Sequence, residues 1–183
     1  QASIPARISS MGYALPGTVL AIGIIIPLSA ADFMLNDVTE LLWQWTPGLV
    51  LSGTVFALIF AYLIRFSAIA VGSVESSIDK ISPSLDLVAR TLGHKPNSMI
   101  RKVHIPLIRK GVLAGFLLVF IESMKELPTA LLLRPFNYET LATYVYQFAS
   151  DEMLEHAALA AIVIVLVGLI PLIFLNRSLE QQH

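Results

Sequence analysis

Four long apolar stretches constrain this 183-residue chain more than any other feature of its sequence. Three of them are residues 13–31, 47–64 and 157–175, and another lies within residues 107–133. A helix that crosses a bilayer needs roughly 20 predominantly apolar residues, which is close to the length of each stretch. The composition agrees, because 56% of the residues are hydrophobic and only 14% are charged, unlike a soluble globular domain. The sequence therefore predicts an all-α membrane protein with about four transmembrane helices.

A more polar segment, residues 75–110, separates the second apolar stretch from the third. A short helix is predicted there, since Pro83 suits a first helical turn after a Ser82 cap and Gly93 suits a left-handed stop. A second short helix is predicted over residues 97–103. Such a projection between membrane spans is a means by which a partner protein can push or pull on them. The first helix has an apolar face, spaced at i, i+3, i+4 and i+7: Leu85, Val88, Ala89 and Leu92.

The same segment carries a recognisable motif. Residues 87–106 follow the pattern Glu-Ala-Ala-x3-Gly-x9-Ile-x-Leu-Pro of the cytoplasmic loop in permease subunits of bacterial ABC importers. Gly93 and Pro106 match the pattern with its spacing intact, whereas Leu87 stands in place of the Glu. The segment is similar to this loop, and the resemblance implies that it docks in a groove of an ATP-binding subunit. The residues expected to couple the chain to that ATPase are Leu85, Val88, Ala89, Arg90, Leu92, Gly93, Arg101, Lys102 and Pro106.

The resemblance extends to the rest of the chain. Residues 11–23, 125–143, 148–161 and 166–177 look like the second half of ferric-iron ABC importer permeases. This implies a MetI-like permease fold in a single transmembrane domain over residues 1–183, with short cytoplasmic coupling helices. Because the chain begins with Gln1, we expect a fragment of a longer permease. The implied partners are ABC ATPase subunits, a periplasmic solute-binding protein and the other half of the permease or a second permease copy.

The distribution of charge predicts an orientation in the membrane. Residues 65–110, which start at Arg65, hold eight of the 12 Lys and Arg residues. The segments at 32–46 and 134–156 are predicted to be acidic loops, and together they hold one basic residue. Because basic loops stay in the cytoplasm, we expect the central segment and both ends of the chain inside a bacterial inner membrane. The basic cluster is expected to touch membrane lipid and, lacking an aromatic platform, no nucleic acid.

Three charged residues lie in the third apolar stretch: Glu122, Lys125 and Glu126. Charges inside a bilayer usually face a bundle interior or a water-filled path. One interpretation is a lining of the translocation path that steers a cationic or hydrated substrate. The other is an ion pair within one helix, because Glu122 and Lys125 are spaced at i, i+3 while Glu126 points elsewhere. Both interpretations stay open at this point.

The sequence offers no catalytic residues. It has no phosphate-binding glycine loop, no hydrolase triad pattern and no cysteine, so we expect no enzyme activity, with ATP bound by a partner chain and no cofactor here. The loop at 134–156 holds tyrosines and carboxylates of the kind that ferric iron accepts, but without tight ligand spacing. His94 and His104 also share no such spacing with each other. We therefore predict no resident metal.

Alternative functions differ in how they would be tested. An ABC permease for thiamine, a phosphonate or a polyamine is closely related to the ferric-iron interpretation, and only substrate tests separate them. A secondary transporter or channel without an ATPase belongs to another class, and ATP-independent uptake would favour it.

Overall fold

The computed structural model describes residues 13–91 and 96–180, and all regular secondary structure in these ranges is helical. Two long helices come first, α1 and α2, followed by the short helices α3 and α4. A π-helical turn then joins α4 to α5, and three further helices complete the described chain. The bounds are α1 Gly17–Trp43, α2 Val55–Asp79, α3 Pro83–Thr91, α4 Pro96–Met99, the π-turn Ile100–His104, α5 Ile105–Lys125, α6 Pro128–Leu133, α7 Leu141–Ser150 and α8 Leu154–Glu180.

Within the described ranges, four helical segments are long and apolar enough to cross a membrane. They are Gly17–Trp43, Val55–Asp79, Asn97–Lys125 and Leu154–Ile173. Each contains about 20 residues or more, as a spanning helix requires. The predicted all-α class and the prediction of four membrane spans are confirmed.

The predicted acidic loop at residues 32–46 is wrong over residues 32–43, because α1 continues as a helix to Trp43. The physical reason is that Asp32 is buried and does not face solvent. Its carboxylate accepts hydrogen bonds from the backbone N–H groups of Val50, Leu51 and Ser52 at 3.1, 2.8 and 2.8 Å. The Ser52 hydroxyl donates a further bond of 2.7 Å. The Asp32 carboxylate therefore holds residues 50–52, in the loop between α1 and α2, against α1.

Asn36, one helical turn after Asp32, holds the same connection at a second point. Its side-chain amide donates to the Gly48 carbonyl at 3.1 Å and accepts from the Gly48 N–H at 2.9 Å. Gly48 has a φ of +77°, which favours glycine. The polar residues of this part of the sequence thus mark a contact between helix and loop.

The second span does not end at Arg65, as the charge pattern had suggested. Helix α2 runs on through the apolar residues 66–74 and ends at Asp79. Arg65 therefore belongs to the helix and not to the basic loop.

The second short helix predicted at residues 97–103 is not a separate element. The π-turn connects α4 to α5 without a gap, and the Ile105 N–H donates to the Ile100 carbonyl five residues earlier. Pro106 explains the wider turn, because proline has no N–H and its ring clashes with the carbonyl four residues before it. The predicted first helix is confirmed as α3, and the Ser84 N–H donates to the Ser82 hydroxyl at 3.4 Å.

The region after α5 also contains more helix than expected. Helix α5 ends at Lys125, and α6 starts at Pro128 within the stretch assigned to the third span. The predicted loop at 134–156 contains α7, whose first turn is closed by a capping box between Thr140 and Thr143. A capping box satisfies two helix-terminal N–H groups at once, which fixes the start of this helix.

Two seams hold α1, α2, α5 and α6 together in the described part of the chain. One is an apolar core between α1, α2 and α6, and the other is a close approach of α2 and α5 through small residues. A side chain at Gly111 would overlap the Ser77 hydroxyl, and a Cβ at Gly115 would lie 2.7 Å from the Ser73 Cβ. The Gly111-x3-Gly115 pattern thus lets α5 approach α2 closely, as small residues do between membrane helices. The apolar core consists of Leu20, Ala21, Ile24, Ala57, Leu58, Ala61, Ala130 and Leu133.

We predict that Gly115→Ala lowers the thermal stability of the full-length permease in detergent. The added Cβ lies too close to Ser73, and overpacking of this kind costs about 1–3 kcal/mol. Gly72→Ala is the matched control, because a Cβ at Gly72 meets nothing within 4 Å and Gly→Ala at an unstrained site stabilises by about 0.4–1 kcal/mol. Equal unfolding temperatures for the two variants would contradict the close approach of α2 and α5.

Candidate functional site

A buried ion pair joins α2 to the junction between α5 and α6. The Arg65 Nε lies 3.1 Å from the Glu126 Oε2. Both side chains are largely shielded, with 16% of Arg65 and 9% of Glu126 exposed. A charge inside a membrane costs at least about 2.5–3.5 kcal/mol on insertion scales, so a charged partner at this depth is a strong constraint on how the helices pack.

Glu126 also forms hydrogen bonds with a residue three positions later in the chain. Its second carboxylate oxygen, Oε1, accepts from the Thr129 hydroxyl at 2.6 Å and from the Thr129 N–H at 3.3 Å. The Tyr62 hydroxyl donates to the Glu126 carbonyl at 3.2 Å. The carboxylate and the backbone of Glu126 thus both have partners, and those partners come from α2 and α6.

The beginning of α1 completes the cluster. Arg65 donates from Nη1 to the Leu15 carbonyl at 2.8 Å, and its guanidinium lies 5.8 Å from the centre of the Tyr13 ring. Gly17 allows this close approach, because a Cβ there would lie 2.6 Å from the Glu126 carboxylate. Three parts of the bundle therefore meet around one guanidinium: the start of α1, the middle of α2 and the junction of α5 with α6.

The other two charged residues of the third stretch pair with each other. Lys125 Nζ lies 2.7 Å from Glu122 Oε1, at the expected i, i+3 spacing. Lys125 is 55% exposed and Glu122 28% exposed, so this pair lies on a more open face than Glu126. Glu122 and Lys125 therefore form the intrahelical ion pair, while Glu126 points elsewhere and binds Arg65.

The predicted coupling residues cluster around α3 and the start of α5. Leu85 and Val88 on α3 are 41% and 54% exposed. Helix α3 makes no extensive contact with another described helix, so these apolar side chains are not covered by this part of the chain. Ala89 and Arg90 belong to the same helix. Leu92 and Gly93 lie outside the described residues, so the predicted glycine turn stays a prediction.

The remaining coupling residues follow in residues 101–106. Arg101 and Lys102 are exposed in the π-turn, and Pro106 is exposed in the first turn of α5. The basic side chains thus lie near the end of the bundle from which α3 projects. Such charges would suit the rim of an interface whose centre is apolar.

The acidic region at 134–156 is organised by internal contacts. Arg134 forms an ion pair with Glu139, and Glu139 also accepts from the Thr143 hydroxyl at 2.7 Å. The His156 ring lies 5.4 Å from that of Phe148. Among residues 13–91 and 96–180, no three His, Asp or Glu side chains group closely enough to hold a metal ion.

Sequence reasoning missed the partner of Glu126. The charge pattern places Arg65 at the start of the basic segment, although the apolar sequence resumes directly after it. That resumption was the available signal, since an ionisable residue inside an apolar stretch indicates a paired, functional position. Asp32 was missed in the same way.

Comparison with known proteins agrees with this architecture. Residues 4–182 match the family described as binding-protein-dependent transport system inner membrane component. The chain is 30% identical over 171 residues to the Fe(3+)-transport system permease protein FbpB 2 of Haemophilus influenzae, covering 93% of this chain and 31% of the relative. It is 24% identical over 98 residues to the ferric transport system permease protein FbpB of Actinobacillus pleuropneumoniae, covering 54% of this chain and 14% of the relative.

A relative named for another substrate also matches. The chain is 23% identical over 164 residues to the putative 2-aminoethylphosphonate transport system permease protein PhnV of Salmonella typhimurium, covering 90% of this chain and 56% of the relative. The chain thus spans between about a seventh and about half of the length of these relatives. The family match covers nearly the whole chain, and four helices have the length and composition of membrane spans. This multi-pass inner-membrane chain belongs to the family of binding-protein-dependent transport system inner membrane components.

Proposed function

We propose that this chain is part of the permease of an ATP-driven importer and that the importer moves ferric iron across the bacterial inner membrane. The observation that carries the proposal is the uncovered apolar face of α3, in a chain that belongs to a binding-protein-dependent transport family. In this proposal α3 docks in a groove of an ABC ATPase subunit. ATP is bound and hydrolysed on that subunit, while this chain holds no cofactor and performs no chemistry.

The position of α3 explains how motion of an ATPase would reach the membrane. Three residues separate the end of α2 from the start of α3, and residues 96–104 continue directly into α5. The two helices that leave the coupling segment, α2 and α5, pack tightly on each other. A displacement of α3 would therefore act on both helices of this seam. In this proposal the motion drives alternating access, in which the translocation path opens to the outside and then returns to its starting state.

The orientation follows from charge. Without Arg65, which lies within α2, the basic residues still concentrate near the coupling segment, whereas residues 135–156, which follow α6 and run into α8, hold four acidic residues and no Lys or Arg. The rule that basic loops stay in the cytoplasm supports a cytoplasmic coupling segment with membrane lipid around its rim. The acidic side would then face a periplasmic solute-binding protein. The other half of the permease, or a second copy, would complete the pore.

Ferric iron is supported by the relatives that carry it in their names. Glu122, Lys125 and Glu126 are the candidates for the translocation path. With Arg65 they balance to zero charge, and opening of the Arg65–Glu126 contact would present a carboxylate oxygen, a ligand that hard cations accept. A phosphonate is the second candidate, supported by the phosphonate-named relative. Thiamine and polyamines remain further alternatives.

We predict that Leu85→Asp weakens binding of the ATPase subunits to the full-length permease by at least about tenfold. Burying one Leu side chain contributes roughly 1.5–3 kcal/mol, and a carboxylate at the same place would oppose docking. Retention of the ATPase during purification of the complex, followed by titration of the separated subunits, measures the effect.

Ser84→Asp is the matched control for this experiment. Ser84 lies beside Leu85 on the same exposed helix, and an acidic residue in a first helical turn is tolerated. Equal ATPase binding by the Leu85→Asp variant, the Ser84→Asp variant and the unmodified permease would contradict docking through α3.

We predict that uptake of radiolabelled ferric iron requires the full-length permease and stops when the partner ATPase is inactivated. Cells that lack the permease, and cells that carry the Leu85→Asp variant, serve as the comparison. Equal iron uptake in cells with and without the permease would contradict the ferric assignment. Uptake of 2-aminoethylphosphonate, thiamine and polyamines would then be measured in the same cells. Uptake that needs the permease but no ATPase would instead favour a secondary transporter.

A further inference from the structure

Helix α2 packs against two different parts of the bundle along its length. In its first half, Ala57 and Ala61 belong to the core shared with α1 and α6. In its second half, Ser73 and Ser77 face the two glycines of α5. Arg65 lies between these two regions, where contacts with one set of neighbours give way to contacts with the other.

The backbone is interrupted at the matching level, between α5 and α6. The Glu126 N–H reaches only the Ser123 carbonyl, at 3.4 Å, and Glu126 itself has an extended conformation with ψ at 108°. Pro128 has no N–H to donate, and the Thr129 N–H donates to the Glu126 side chain. The regular helical hydrogen bonds therefore stop at this corner, so the angle between α5 and α6 is not fixed by a continuous ladder.

We propose that the Arg65–Glu126 ion pair is a latch across this corner, which holds the resting state of the transport cycle and opens when the ATPase moves the coupling segment. The proposal rests on the import function proposed above and goes beyond it by assigning a role to Arg65. Arg65 and Glu126 are positioning residues in this view. They set the angle of α5 against α2 and α1, whatever the solute.

The surrounding contacts allow the latch to open without leaving a bare charge. When the pair separates, Arg65 keeps the Leu15 carbonyl and the nearby Tyr13 ring on the α1 side. Glu126 keeps the Thr129 hydroxyl on the α6 side. Each charge thus keeps a partner after the pair separates, and retained hydrogen bonds reduce the cost of separating a buried pair.

Distance measurements between spin labels test the latch. The 183 residues contain no cysteine, so Ile26→Cys on α1 and Phe116→Cys on α5 provide label sites that are 64% and 65% exposed. Helix rise places these sites on opposite sides of the corner, on the order of 30 Å apart. The sample is the full-length permease with its ATPase subunits in lipid nanodiscs, with any cysteines elsewhere replaced.

The decisive comparison is made without nucleotide, between the unmodified latch and Arg65→Met/Glu126→Gln. The double variant removes both charges and so leaves no unpaired ion that would hinder folding. We expect a second label distance in the double variant, with a population about tenfold above that in the unmodified protein. The same distance should be populated by the unmodified protein when ATP is bound. A nucleotide-free distribution identical to that of the unmodified protein would overturn the latch and leave the pair as a fixed support.

Lys125→Gln is the control for local charge. It breaks the Glu122–Lys125 pair one residue from the corner and leaves the Arg65–Glu126 pair intact, so the resting label distance should persist. A shift as large as that of the double variant would overturn the proposal. If ATP changes neither the label distance nor the hydrolysis rate of the unmodified complex, the proposed import function fails. The nucleotide-free comparison still decides the latch in that case.

Discussion

The contact between the Arg65 guanidinium and the Glu126 carboxylate ties together three parts of the described bundle. It brings two opposite charges together at 3.1 Å in a place where water is largely excluded. Lipid has no strong hydrophobic preference between one apolar helix face and another, so helix association in a membrane depends on close packing and on polar contacts. The start of α1, the middle of α2 and the corner after α5 all contribute atoms to this one cluster. A different register of any of the three would leave a buried charge without its partner.

Close packing and loop contacts hold the parts of the bundle that lie away from the ion pair. The glycines of α5 let its backbone approach the serines of α2 on the side of the coupling segment, whereas Asp32 and Asn36 attach the connecting loop at the other end of α1. The bundle is thus held at both ends and at its middle. The coupling helix α3 lacks extensive contacts of this kind with the other described helices, which is the arrangement expected of an element whose partner is another protein. In this view the contacts that stabilise the bundle lie in the spans, whereas the surface on which a partner protein would act lies on α3, outside them.

The sequence predicted those features that depend on local pattern. Hydrophobic length predicts the four spans, and the segment around Pro83 predicts the short helix α3. The sequence does not predict the positions of charged residues whose partners lie far along the chain. Nothing near Arg65 indicates Glu126 as its partner, and nothing near Asp32 indicates residues 50–52. Arg65 is 61 residues from Glu126, and only the folded bundle brings them together. The π-turn before Pro106 was also missed, since proline usually ends a helix and here it only widens the preceding turn.

A double-mutant cycle on Arg65 and Glu126 tests most directly whether this pair organises the bundle. The unfolding free energies of the full-length permease would be compared for the unmodified protein, Arg65→Met, Glu126→Gln and the double variant. Gln retains an oxygen for Thr129, so the cycle isolates the ionic contact. The account predicts a coupling energy of about 2 kcal/mol or more, with the double variant less destabilised than the sum of the single variants. Additive effects, with a coupling energy near zero, would contradict it.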